Sequence, residues 1–162
     1  MAAEPHPTAA VPYTDGLNYL LFRAHYAVYR HLEDELTELG VTITQLGLAA
    51  AVQHYGPLSV ADLARIHGIT PQSVTTATNH LHHLGWISRR PHPTHKRVVL
   101  LELTDTGRHA TQTGRRIVDR INSTLTNALG GHATQFVDNL ATIMTAVGVD
   151  PPAVTTLRPN PS

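Results

Sequence analysis

The chain has 162 residues, no cysteine, twelve histidines and a formal net charge of zero. That length fits one domain with its own apolar core, and the lack of cysteine excludes disulfides, thiolate zinc sites and thiol-based redox sensing. No apolar run is long enough to cross a bilayer, and the proline-bearing start "MAAEPHPTAAVPYTDG" lacks the basic and apolar regions of a secretion signal. A cytoplasmic protein with no membrane partner is therefore expected.

The zero net charge is an average over unlike segments. Residues 1–64 hold two basic residues against seven acidic ones, a balance of −5; residues 65–120 hold nine against three, a balance of +6; the remainder contributes −1. Positive charge gathered in one segment suits a polyanion such as nucleic acid.

In chain order, a flexible lead is expected over 1–15, where prolines disfavour regular structure. Leu17, Leu20, Leu21, Ala24, Val28, Leu32, Leu36 and Leu39 recur at helical spacing up to Gly40. Thr42 with Gln45 three residues on is a capping box, and it opens a second helix that ends at Gly56-Pro57. Ser59 with Asp62 caps a short third helix ending at Gly68. Thr70 followed by Pro71 opens a fourth, ended by Gly85. On this fourth helix Val74, Ala77, Leu81 and Leu84 are expected to face the core.

After Gly85 the period becomes extended: "WISRRP" and "KRVVLLEL" read as an antiparallel pair joined at "PHPTH". Thr104 caps a long helix to about Leu129, Gly130-Gly131 breaks it, and a final helix runs from about Ala133 to Val147. Residues 149–162 read as a disordered tail.

Short helix, glycine, capped helix, glycine and two-stranded hairpin is the order of a winged helix-turn-helix, whose second helix enters the major groove while the hairpin reaches toward the neighbouring minor groove. The segments "LGVTITQ", "GPLSVADLARIHGITPQSVTTATNHLHHLGWISRRP" and "KRVVLLELTDTGR" resemble the MarR family of bacterial transcriptional regulators. The most specific piece is the strand that ends in Leu-Thr-x-x-Gly-Arg.

The resemblance implies a mainly α fold with a small β-hairpin wing. It implies one MarR-like domain over 16–148, with the winged helix-turn-helix at about 42–103 and dimerisation helices at about 17–39 and 104–148. It further implies a repressor, not an enzyme, that binds a pseudo-palindromic double-stranded DNA operator as a homodimer and is released by a small-molecule effector, with no cofactor and no catalytic residues. By the same resemblance the base readers are Gln72, Ser73, Thr75, Thr76 and Asn79, side chains able to serve base edges and phosphates. Arg89, Arg90, Lys96 and Arg97 supply phosphate or minor-groove charge. Where the family's wing reads Asp-Pro-x-Asp-Arg-Arg, this chain has His92-Pro93-Thr94-His95-Lys96-Arg97, so the orienting carboxylate is gone.

The dimer seam is expected at Leu125, Leu129, Phe136, Leu140, Ile143 and Val147. Phe22, Tyr26, Tyr29 and Arg30 on the first helix form a set suited to an aromatic or phenolic anion. Two other readings stand beside this one. A histidine-based zinc-responsive regulator or metalloprotein would use pairs such as His80 with His83 or His92 with His95. A winged-helix module could instead serve protein contacts without DNA.

Overall fold

The computed structural model describes residues 16–151; the lead expected over 1–15 and the tail beyond 151 lie outside the described residues. Among the described residues six helices and three strands follow one another: α1 (Leu17–Leu36) with a 3-10 turn (Thr37–Leu39), α2 (Ile43–Tyr55), β1 (Leu58–Ser59), α3 (Val60–His67), α4 (Pro71–His83), β2 (Ile87–Pro91), β3 (Val99–Leu103), α5 (Asp105–Leu129), a second 3-10 turn (Gly130–His132) and α6 (Ala133–Ala146). The chain divides into two compact units at Gly114/Arg115, within α5.

The helix starts form as local chemistry dictates. Thr42 accepts the backbone N–H of Gln45 while the Gln45 side chain accepts the N–H of Thr42, and Ser59 and Asp62 repeat that exchange at α3. Thr70 accepts the N–H of Ser73, with Pro71 as the first helical residue of α4. Gly40 and Gly68 close their helices at φ 65° and 64°, a left-handed conformation that costs glycine little.

The sheet has the order β1-β3-β2, antiparallel throughout, with Leu58 and Arg89 both opposite Leu101. The sequence predicts only the hairpin. The third strand is two residues long, and Ser59 serves both as its end and as the cap of α3. Within the first unit Leu36, Leu48, Leu63 and Val74 are wholly buried, joined by Leu81, Trp86, Ile87 and Leu101. The expected core face of α4 needs one correction: Leu84 is exposed and Thr78 is buried. Leu84 lies beyond the last helical residue, and Trp86 goes inside two residues later; Thr78 is accommodated because its hydroxyl donates to the Val74 carbonyl at 2.8 Å.

The Leu-Thr-x-x-Gly-Arg run locks β3 to α5. The Thr104 hydroxyl donates to the Gly85 carbonyl (2.6 Å) and accepts the N–H of Gly107; Arg108 donates to the Leu103 carbonyl (2.6 Å) and pairs with Asp105. A Cβ on Gly107 would lie 1.9 Å from the Trp86 carbonyl oxygen, so no other residue fits there without moving the backbone. In the second unit the buried residues, among those described, are Ile121 and Ala133.

Candidate nucleic-acid interface

Helix α4 separates its faces. Val74, Ala77, Thr78 and Leu81 point inward, whereas Gln72, Thr76, Asn79 and His83, at spacings of four, three and four, form an exposed polar stripe. The other two expected readers sit differently. Ser73 shares a hydrogen bond with Thr70 at the helix start (2.8 Å), and Thr75 is half-buried with its hydroxyl donating to the Pro71 carbonyl (2.8 Å). The Thr76 hydroxyl donates to the Gln72 carbonyl (3.1 Å), leaving its oxygen lone pairs open to a donor.

The four wing cations divide. Arg89 donates to the Asn79 side-chain oxygen, which joins β2 to the exposed stripe. That contact takes one lone pair of the Asn79 oxygen and leaves the other, with the amide N–H groups, for a base edge. Arg90 pairs with Glu102 on β3 at 3.1 Å, so much of its charge is met within the sheet. Lys96 and Arg97 at the tip are exposed and have no ion-pair or hydrogen-bond partner among the described residues. They are the cations left for an outside anion.

The tip holds its shape without the missing carboxylate. The Nδ1 of His92 accepts the backbone N–H of Thr94 (3.2 Å) and of His95 (3.1 Å), the task a turn-forming aspartate performs. Backbone bonds between His92 and Val98 (2.9 Å) and from Val98 to His95 (2.8 Å) close the loop. The arrangement needs a lone pair on Nδ1, hence a neutral imidazole carrying its proton on Nε2.

Behind the interface, α3 is anchored by a perturbed acid. The Asp62 carboxyl is held below its ordinary range, first by the hydrogen bond from the Ser59 hydroxyl (2.6 Å), then by the Ser59 N–H, with the charge of Arg65 adding to both. His67, at the end of the same helix, lies against Gly47 of α2, where an added Cβ would stand 3.2 Å from the ring. Burial lowers its affinity for a proton, the Gly47 carbonyl partly opposes that, and its Nε2 has no partner.

A cavity of about 230 Å³ lies between α4 and the wing, bordered by Val60, Thr75, Asn79, Arg89 and Val99. The expected effector residues are elsewhere. Phe22, Tyr26, Tyr29 and Arg30 are exposed on α1, with the Phe22 and Tyr26 rings stacked at 6.2 Å and Tyr29 near His25 at 5.8 Å. The Tyr29 phenol is raised above its usual range by burial and then by its hydrogen bond to Glu33 and the charge of that group. No three His, Cys, Asp or Glu among the described residues come together as a metal-binding set. The His92 and His95 rings are 4.8 Å apart, but the Nδ1 of His92 is occupied by the turn.

An exposed polar helix beside a basic hairpin, carried on a three-helix head, defines a winged helix-turn-helix protein. Residues 39–98 match the sequence profile of the MarR family. The multiple antibiotic resistance protein MarR of Salmonella typhimurium is 29% identical over 91 residues, covering 56% of this chain and 63% of that protein. The HTH-type transcriptional repressor MdtR of Bacillus subtilis is 31% identical over 85 residues, covering 50% of this chain and 55% of that protein. The chain thus spans less than two thirds of the length of these relatives. Two solved structures share its fold: the S. aureus MepR–DNA complex (TM-score 0.73, 20% identity, 81% of this chain and 98% of that one) and a mutant MarR from E. coli complexed with operator DNA (TM-score 0.70, 22% identity, 79% and 92%). Among the described residues no helix is long and apolar enough to cross a membrane.

Proposed function

We propose that this protein is a transcriptional repressor that binds a pseudo-palindromic DNA operator as a homodimer and is released by a small aromatic or phenolic effector. The observation that carries the reading is the placement of the Gln72, Thr76 and Asn79 stripe and the unpaired Lys96 and Arg97 on one compact unit. The stripe suits base edges and the tip suits phosphates or a minor groove. Two solved structures of the same fold that hold DNA, operator DNA in the case of the E. coli MarR mutant, support it.

Open apolar surface supports the dimer. Leu17 and Leu20 of α1 are exposed, as are Leu125 of α5, Phe136 of α6 and Val147 just after it. A second copy would cover such stripes, and a two-headed protein matches a palindrome. The effector would sit against Phe22, Tyr26, Tyr29 and Arg30. Phe22, Tyr26 and Arg30 follow at intervals of four on one helix face, which sets two stacked rings in line with a guanidinium.

A binding titration over several salt concentrations, with operator and scrambled duplexes, tests the reading. Lys96→Ala or Arg97→Ala is expected to weaken every duplex and to reduce the salt slope by ~0.9 per lost contact. Asn79→Ala or Thr76→Ala is expected to cost about 1 to 3 kcal/mol on operator and little on scrambled DNA. Saturating salicylate added to the same titration is expected to release wild-type protein and to spare Arg30→Ala. Loss by the wing variants on operator alone, with equal loss by the helix variants on both duplexes, would reverse the roles; no loss in any variant would end the repressor reading.

A further inference from the structure

His80 stands on the exposed side of α4, beside the reading stripe, yet its ring is committed to the protein. Its Nε2 lies 2.8 Å from the carbonyl oxygen of Gly40. A carbonyl only accepts, so Nε2 donates. Gly40 is the corner between α1 and α2, and that corner is stiff: the Thr37 hydroxyl donates to the Glu33 carbonyl (3.0 Å), the Gly40 N–H to the Thr37 carbonyl (3.0 Å), and the Ile43 N–H to the Glu33 carboxylate (2.9 Å). Leu36 and Val41, on either side of it, are buried. The His80 bond therefore joins the recognition helix to the corner that follows α1, across forty positions of sequence.

We propose that His80 is a positioning residue for operator-spacing discrimination, and that it sets the angle at which α4 leaves the end of α1. This rests on the dimeric reading above. If α1 belongs to the part shared by two copies, the orientation of each α4 on its own α1 decides the distance and rotation between the two reading helices. An unlatched α4 would still present Gln72, Thr76 and Asn79 to a half-site. It would be less selective about where the second half-site lies.

The bond is at the surface, so its loss leaves no buried polar group without a partner. A net worth of one neutral hydrogen bond implies a discrimination change of about three- to tenfold. Glutamine at this position carries an amide N–H donor at nearly the same reach as Nε2 and tests the bond rather than the ring. The probe is a duplex selected by wild-type protein from a random-sequence pool, then synthesised with its central spacer unchanged, lengthened by one base pair and shortened by one, alongside a scrambled duplex.

The expected result is that His80→Ala binds the scrambled duplex as wild type does but loses about three- to tenfold of its preference for the native spacer, while His80→Gln keeps it. Equal weakening of His80→Ala on all three spacers, or a glutamine variant no better than alanine, would overturn the positioning role. A wild type that selects no duplex, or binds the three spacers alike, overturns the two-headed reading and this proposal with it.

Discussion

Two regions of this protein carry apolar stripes of the same kind and do opposite things with them. In the head, Leu48 of α2, Leu63 of α3, Val74 and Leu81 of α4, and Leu101 of β3 are buried by their own chain. Along α1 only Leu36 is buried, and along α6 only Ala133. The α1 residues Leu17, Leu20 and Leu21 and the α6 residues Phe136, Leu140 and Ile143 keep part or most of their surface open. Helical periodicity reports that a face is apolar; what covers the face depends on the elements around it.

The comparison can be broken most directly at Leu63. Replacing a fully buried leucine by alanine removes its contacts and leaves a cavity, so Leu63→Ala is expected to destabilise by about 3 kcal/mol. Chemical denaturation should give the same loss at low and high protein concentration. A loss that varies with concentration would mean the head, too, is held by a partner.

The outer stripe predicts the contrary behaviour. In the proposed dimer, changing Phe136 and Leu140 together to serine should raise the dissociation constant by about tenfold or more, and the melting temperature should then depend on concentration more steeply than in the wild type. Sedimentation at graded concentrations provides the measurement. A double variant that associates as the wild type does removes α6 from the seam.

A smaller effect concerns protons. Burial depresses the proton affinity of His67, against the weaker pull of the Gly47 carbonyl. The unfolded imidazole takes its proton at about pH 6.5, whereas the fold holds the ring neutral to a lower pH. Stability from this residue is thus whole above the unfolded value and is lost as pH falls through the folded one. Melting temperature should decline on going from neutral to mildly acidic buffer, and His67→Gln should flatten part of that decline. An unchanged slope in the variant would place the acid sensitivity elsewhere in the chain.

The helix starts were open to sequence reading because each is decided within three or four residues. Thr42 and Gln45, Ser59 and Asp62, and Thr70 before Pro71 carry their own bonding partners with them, and the alternation after Gly85 marks the hairpin by itself. The Leu-Thr-x-x-Gly-Arg run was legible as a family resemblance, but its physical basis was not. Only the fold shows that Gly107 must lack a side chain because the Trp86 backbone passes over it.

The remaining decisions were tertiary. A two-residue strand at Leu58 has no periodicity to detect and exists because β3 lies opposite. The exchange of Leu84 for Thr78 in the core depends on where α4 stops and where Trp86 enters. The divided wing charge, with Arg90 held by Glu102 and Arg89 by Asn79 while Lys96 and Arg97 stay unpaired, depends on sheet register and on the seat of α4. The His80 bond to Gly40 joins residues forty apart. Each of these contacts forms between elements that are distant along the chain, so its geometry comes from how helices and strands pack, whereas a cap or a turn is closed by the few bonds that separate its own atoms.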